Sequence, residues 1–185
     1  MTPVNEKKKE RVVTVRMNEE YYNTLSGYAA KKGFTVNSFI NSVLESQAEF
    51  FIPCSSYDNV HPPKKMFASL FSIADKGALQ RLAEDFYDEV ADVIRILDKN
   101  SELTFSSAIT FIYIACKYVA GVEPKIVHIN NNDNNISVLV KHSMGENFSY
   151  FLYLNMKNVA KHVNSEIRDV KYNSDVLSFT IKQVG

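Results

Sequence analysis

The sequence predicts an α+β protein. A short amino-terminal strand precedes two helices, and beyond a proline-bearing linker a helical segment leads into a hairpin-helix-hairpin antiparallel sheet domain. Three observations carry this expectation. The stretch "RVVTVRM", Arg11 to Met17, nearly alternates apolar and polar side chains, the period of a half-buried strand. Apolar residues then recur at helical spacing as far as about Phe50, interrupted at Gly33. After Gly121 the pattern returns to short β-type runs separated by polar turns.

In chain order, residues 1–10 are polar and charged and read as a flexible basic arm. Asn18 is placed to cap the first helix, because its side-chain oxygen can accept from the free amides of the first turn, and Glu19 and Glu20 favour the positive end of the dipole. Gly33 ends that helix, since a left-handed terminal residue costs glycine least. Thr35 is the next candidate cap, and Phe39, Ile40, Val43 and Leu44 stripe the second helix. Residues 51–65 hold three prolines and no periodicity, so they read as a linker between an amino-terminal domain, 11–50, and a carboxyl-terminal domain, 66–185. Within the latter, helices are expected at Met66 to Ala74, Ala78 to Leu97 and Phe105 to Ala120. Strands are expected at Lys125 to Ile129, Ile136 to His142, Ile167 to Tyr172 and Val176 to Ile181, with a helix from Gly145 to Val163 between the two hairpins. The hairpins can join as one sheet covered by helices on a face.

Composition narrows the function. The chain has 185 residues, 45% of them hydrophobic, enough to bury a sizeable core. Its 21 basic and 21 acidic residues cancel, so a nucleic-acid role must rest on local charge. That charge gathers at the amino end: Lys7, Lys8, Lys9, Arg11, Arg16, Lys31 and Lys32 stand against Glu6, Glu10, Glu19 and Glu20. Cys54 and Cys116 make no disulfide framework and suggest a reducing compartment. "MTPVNEKKKE" has no signal-peptide core, and Ser106, Ser107 and Lys117 interrupt the one apolar run of near-membrane length. A cytoplasmic location without a membrane partner is the expectation.

A lone seven-residue strand leaves backbone groups unpaired and one apolar face open. A second copy could supply both needs, with Val13, Val15 and Met17 turned onto the helices and Val12, Thr14 and Arg16 outward, on a ribbon narrow enough for a DNA major groove. On these residues, "VVTVRMNEEYYNTLSGYAAKKGFTVNSFINSVLE", the chain resembles the ribbon-helix-helix (MetJ/Arc class) DNA-binding dimers. The resemblance covers about Arg11 to Phe50. It implies base reading by Val12, Thr14 and Arg16, with Val12 departing from the family's usual polar residue, either to meet a thymine methyl or to contribute little. It also implies phosphate binding by the amides near Thr35, Val36, Asn37 and Ser38. The lysines Lys7, Lys8 and Lys9 would lie along phosphates.

The expected function is therefore a homodimeric, sequence-specific DNA-binding transcriptional regulator, a repressor, with double-stranded DNA as partner. Higher oligomers and a small-molecule effector remain open for the second domain. The alternatives are an antitoxin, whose tail would be short and disordered when free, and a DNA-binding domain fused to an enzyme. No glycine-rich phosphate loop, nucleophile elbow or paired-cysteine motif supports an enzyme. His61, His128, His142 and His162 lack the spacing of metal-ligand pairs, so no metal or cofactor is expected. Glu84, Asp85, Asp88, Glu89 and Asp92 read as the wet face of a helix whose dry face holds Leu82, Phe86, Val90, Val93 and Leu97.

Overall fold

Local capping chemistry sets the amino-terminal elements. In the computed structural model, which describes residues 11–55, 63–98, 103–119, 121–122, 124–128 and 135–184, helix α1 spans Glu19–Lys32. Asn18 is extended, and its side chain accepts from the Glu20 amide at 2.8 Å. Gly33 takes the left-handed conformation, φ 72°, and the amides of Gly33 and Phe34 donate to the carbonyls of Ala30 and Ala29, closing the helix. Helix α2, Val36–Ser46, starts from Thr35, whose hydroxyl accepts from the Ser38 amide. It continues into a π-helical turn, Gln47–Phe51. Tyr28 and Phe39 meet across the helical hairpin with ring centroids 5.2 Å apart.

The expected ribbon-helix-helix is overturned at its first element. Arg11–Asn18 is irregular, and no residue of it enters a strand ladder among the described residues. The physical reason is that alternation marks which side chains could share a face but supplies no neighbour. A strand needs an adjacent strand to satisfy its amides and carbonyls. The chain is instead helix-rich, with α1–α7 among the described residues and one four-stranded antiparallel sheet near its carboxyl end.

The chain divides into two compact units, Met1–Glu49 and Phe50–Gly185. In the first, Ala29 is the one buried residue among those described. Val12, Val13 and Val15 stand 98%, 77% and 71% exposed, and Tyr21, Phe34 and Leu44 are exposed as well.

The second unit has a core of its own. Helix α3 is Lys64–Ile73, α4 Lys76–Asp85, α5 Tyr87–Asp98 and α6 Phe105–Ile114, the last running into a π-helical turn at Ala115–Val119. Strands β1, Lys125–His128, and β2, Asn135–Lys141, form one hairpin; β3, Ser165–Tyr172, and β4, Val176–Gln183, form the other. Helix α7, Glu146–His162, joins them. The sheet order is β1-β2-β4-β3, so the two hairpins meet where β2 pairs with β4, Val138 opposite Phe179 and Val140 opposite Leu177.

Strict alternation of burial along β2 and β4 turns Ile136, Val138, Val140, Leu177, Phe179 and Ile181 to one face. Ile94 of α5, Ala108 and Ile112 of α6, and Met156 and Val159 of α7 cover it. Burying each large aliphatic side chain there contributes about 1.5–3 kcal/mol. A second cluster sets Phe71 of α3 and Leu79 of α4 against Phe148 of α7. A third gathers Phe50, Cys54 and Ile114, with Phe50 stacked on Tyr118 at 5.5 Å.

The single helix expected over Ala78 to Leu97 is two helices, because the chain turns at Phe86. That turn re-phases the dry face. Leu79 and Ala83 are buried from α4, and Ala91 and Ile94 from α5, while Leu82 and Phe86 are exposed. The basic arm, residues 56–62 of the proline-bearing segment and the asparagine-rich β1–β2 loop lie outside the described residues.

Candidate functional site

Three places carry chemistry. The first is on Met1–Glu49. Val12, Thr14 and Arg16 are all exposed, on the irregular segment that leads into α1. At the start of α2, Ser38 donates its amide to Thr35 Oγ1 at 3.1 Å, and the two hydroxyl oxygens lie 2.9 Å apart. The cap thus occupies the Ser38 amide and leaves those of Val36 and Asn37 pointing out of the first turn. Lys31 and Lys32 end α1 just before this turn, and Lys32 Nζ lies 6.0 Å from the Tyr28 ring centre. An anion at this corner would meet two free amides and a positive dipole end. The structure does not bring Val12, Thr14 and Arg16 together on a strand face. Lys7, Lys8 and Lys9 lie outside the described residues.

The second place is a buried network at the junction of β2, α7 and the β3–β4 turn. Met144 donates its amide to His142 Nδ1 at 3.2 Å. An amide can only donate, so in the neutral ring the proton sits on Nε2, which donates to Ser149 Oγ at 2.7 Å. Ser149 in turn donates to the Asn173 carbonyl at 2.6 Å. Around this, the His142 amide donates to the Asp175 carbonyl and the Gly145 amide to that of Ser174. Phe148 packs edge-on to the imidazole at 5.1 Å. Burial holds the imidazole below its ordinary protonation range; Asp175 opposes this and Lys64 adds to it. A serine and a histidine in contact suggest nucleophilic catalysis, but the geometry opposes it. The histidine donates to the serine, the serine donates to a carbonyl, and Ser149 is wholly buried. The network clamps the helix start to the turn.

The third is an open cleft of about 810 Å³ between the carboxyl half of α7 and the start of β3. Tyr153, Ile167 and Val184 give it apolar walls, and Lys157 and Lys161, one helical turn apart, give it positive charge. Its acid, Glu166, is held by Arg168 at 2.6 Å, which leaves the two lysines without an ion pair among the described residues. Sequence reasoning missed both lysines and the Ser149 clamp. The i, i+4 lysine spacing was the available signal for the first; nothing local marks the second.

Among the described residues no three of His, Cys, Asp or Glu converge as metal ligands. Burial pushes the Cys116 thiol up to about 12 and raises that of Cys54, so both are protonated at neutral pH. Glu84, Asp85, Asp88, Glu89 and Asp92 are exposed along α4 and α5, with Asp92 paired to Arg95. No described helix is long and apolar enough to cross a membrane.

No known family model matches the chain, and no curated protein does. Among solved structures, the chain is similar to an Fe(II) unliganded mutant H-NOX protein from K. algicida, at 12% identity and a TM-score of 0.24, over 93% of this chain and 76% of that one. A likeness of that strength establishes no shared fold and says nothing of function.

Proposed function

We propose that this chain is a homodimeric, sequence-specific DNA-binding transcriptional regulator of the cytoplasm, a repressor, whose Met1–Glu49 unit meets the duplex and whose Phe50–Gly185 unit carries sensing or oligomerisation. The observation that supports this reading is the imbalance of the first unit. It buries Ala29 and leaves Val12, Val13, Val15 and Met17 exposed beside Arg11 and Arg16. A unit so poor in core is incomplete as one copy, and a second copy would cover its apolar side chains. Arg16 and Thr14 then remain for base edges, and the Val36 and Asn37 amides for a phosphate. A small-molecule effector fits the cleft of the second unit if it is anionic, since Lys157 and Lys161 are its free charges.

The test starts from DNA recovered with the protein from its native cell and sequenced. On the duplex so identified, Arg16→Ala should lose discrimination against scrambled DNA on the order of 1–3 kcal/mol for each copy that reads a base. Replacing Lys7, Lys8 and Lys9 with alanine should weaken both DNAs alike and reduce the salt slope by about 0.9 for each phosphate no longer neutralised. An unchanged cognate-to-scrambled ratio in Arg16→Ala sinks the assignment of that residue.

A further inference from the structure

Helix α3 is apolar on two faces, and the fold uses one. Phe67 and Phe71 turn inward, where the Phe71 ring lies 5.2 Å from that of Phe148 and 5.1 Å from that of Phe151. Asn147 of α7 fixes the helix end by donating to the carbonyls of Phe71 and Ala74 at 2.9 and 2.8 Å. With the inner face pinned, Met66, Leu70 and Ile73 recur at i, i+4, i+7 on the outside, 51%, 51% and 82% exposed. A row of three large aliphatic side chains along a firmly held helix is a contact surface, unlike single exposed residues.

From this stripe we infer that α3 packs antiparallel against α3 of a second copy, about a two-fold axis at Leu70. Two features favour that occupant. The stripe is self-complementary: with Leu70 against its own mate, Met66 of one copy stands level with Ile73 and Ala74 of the other, as an isologous contact requires. The ends of the helix are also oppositely charged. Its amino end carries Lys64, Lys65 and the positive dipole end; its carboxyl end carries the negative dipole end and Asp75, while Lys76, the next residue, turns its Nζ over the Tyr150 ring, 5.4 Å from its centre. Asp75 uses Oδ1 to cap α4 through the Ala78 amide, and its other oxygen has no partner among the described residues. Antiparallel alignment brings these unlike ends together, whereas parallel alignment would oppose Lys65 to Lys65.

A ten-residue helix, about 15 Å long, offers less than the ~800 Å² per partner that a stable complex needs, so the contact forms within a dimer already held elsewhere. In that respect it rests on the proposed dimer of the first unit. It adds that the second units pair too, through α3.

Disulfide trapping in the full chain tests this. Leu70→Cys places two thiols across the axis, while Cys54 and Cys116, 1% and 2% exposed, do not compete. Under mild oxidation it should give covalent dimers about tenfold faster than Gln80→Cys, an exposed position on α4, at equal concentration. Adding Ile73→Glu or Lys65→Glu should slow the trapping. If Leu70→Cys traps no faster than Gln80→Cys while the wild type sediments as a dimer, the α3 contact is overturned and the first-unit dimer stands. If Leu70→Cys traps selectively but no DNA binding is found, the contact stands and the DNA-binding reading falls.

Discussion

His142 shows how one buried side chain ties stability to pH. Its ordinary value is 6.5; burial lowers it in the folded chain, and Lys64 acts in the same direction against Asp175. Above the ordinary value the ring is neutral folded and unfolded, and the Met144 and Ser149 hydrogen bonds are intact. As pH falls below that value the unfolded chain takes up a proton that the folded chain refuses, so stability is lost down to the lowered folded value and then levels off. The urea midpoint of the second unit should accordingly drop between pH about 7.5 and about 5.5. His142→Gln, which keeps a donor and an acceptor but cannot titrate, should be less stable at the upper pH and lose less on acidification. Equal pH slopes in the two proteins would refute the assignment. Local residues such as Asn18, Gly33 and Thr35 were legible in sequence, since a cap acts within three or four positions. Ser149 was not, because its partners His142 and Asn173 reach it only through the fold.

Elements were legible where their signal is local and periodic. The two hairpins and α7 follow from alternation and from turn residues such as "NSD", and the α1–α2 hairpin from its caps. The break at Phe86 was not legible. Neither glycine nor proline marks it, and the apolar spacing of Leu82, Phe86 and Val90 suits an uninterrupted helix. What decides it is the packing of Leu79 and Ala83 in place of Leu82 and Phe86. The start of α6 offers a test of how far capping supports a buried helix. Thr104 Oγ1 accepts from the Ser107 amide and Ser107 Oγ from the Thr104 amide, both at 3.1 Å, ahead of Ala108 and Ile112 in the core. Thr104→Ala should cost about 1 kcal/mol, read as a lower urea midpoint at unchanged slope. Ser107→Ala should cost as much or more, because Ser107 is 1% exposed and its removal also leaves the Thr104 amide without an acceptor. A silent Thr104→Ala would mean that tertiary packing alone fixes where α6 begins.

At the scale of the whole molecule, "RVVTVRM" is where sequence and structure part. Its alternation specifies which side chains could be hidden together, but among the described residues nothing hides them, and Val13 and Val15 stand exposed. The two units differ in this respect. Phe50–Gly185 carries a sheet core wrapped by α5, α6 and α7, and on that core it should fold without a second chain. Met1–Glu49 buries Ala29 among the described residues and should gain its stability by association, as the proposed dimer requires. Heating the full-length protein should then give two transitions, separable by probe and by dilution. The one belonging to the second unit, followed through Tyr150, Tyr153 and Tyr172, whose rings lie within 6.4 Å of one another, should depend on concentration far less than that of the first, since the α3 contact forms only while the first units are paired. The helical transition of the first unit should move upward with concentration, since each tenfold increase favours a folded dimer by about 1.4 kcal/mol. Val15→Asp should lower that midpoint and leave the second transition in place, because it puts a charge where association would cover Val15. A first unit that melts at the same temperature at every concentration, in the wild type and in Val15→Asp alike, would show that its exposed side chains are covered by nothing, and the homodimeric reading would fall with them.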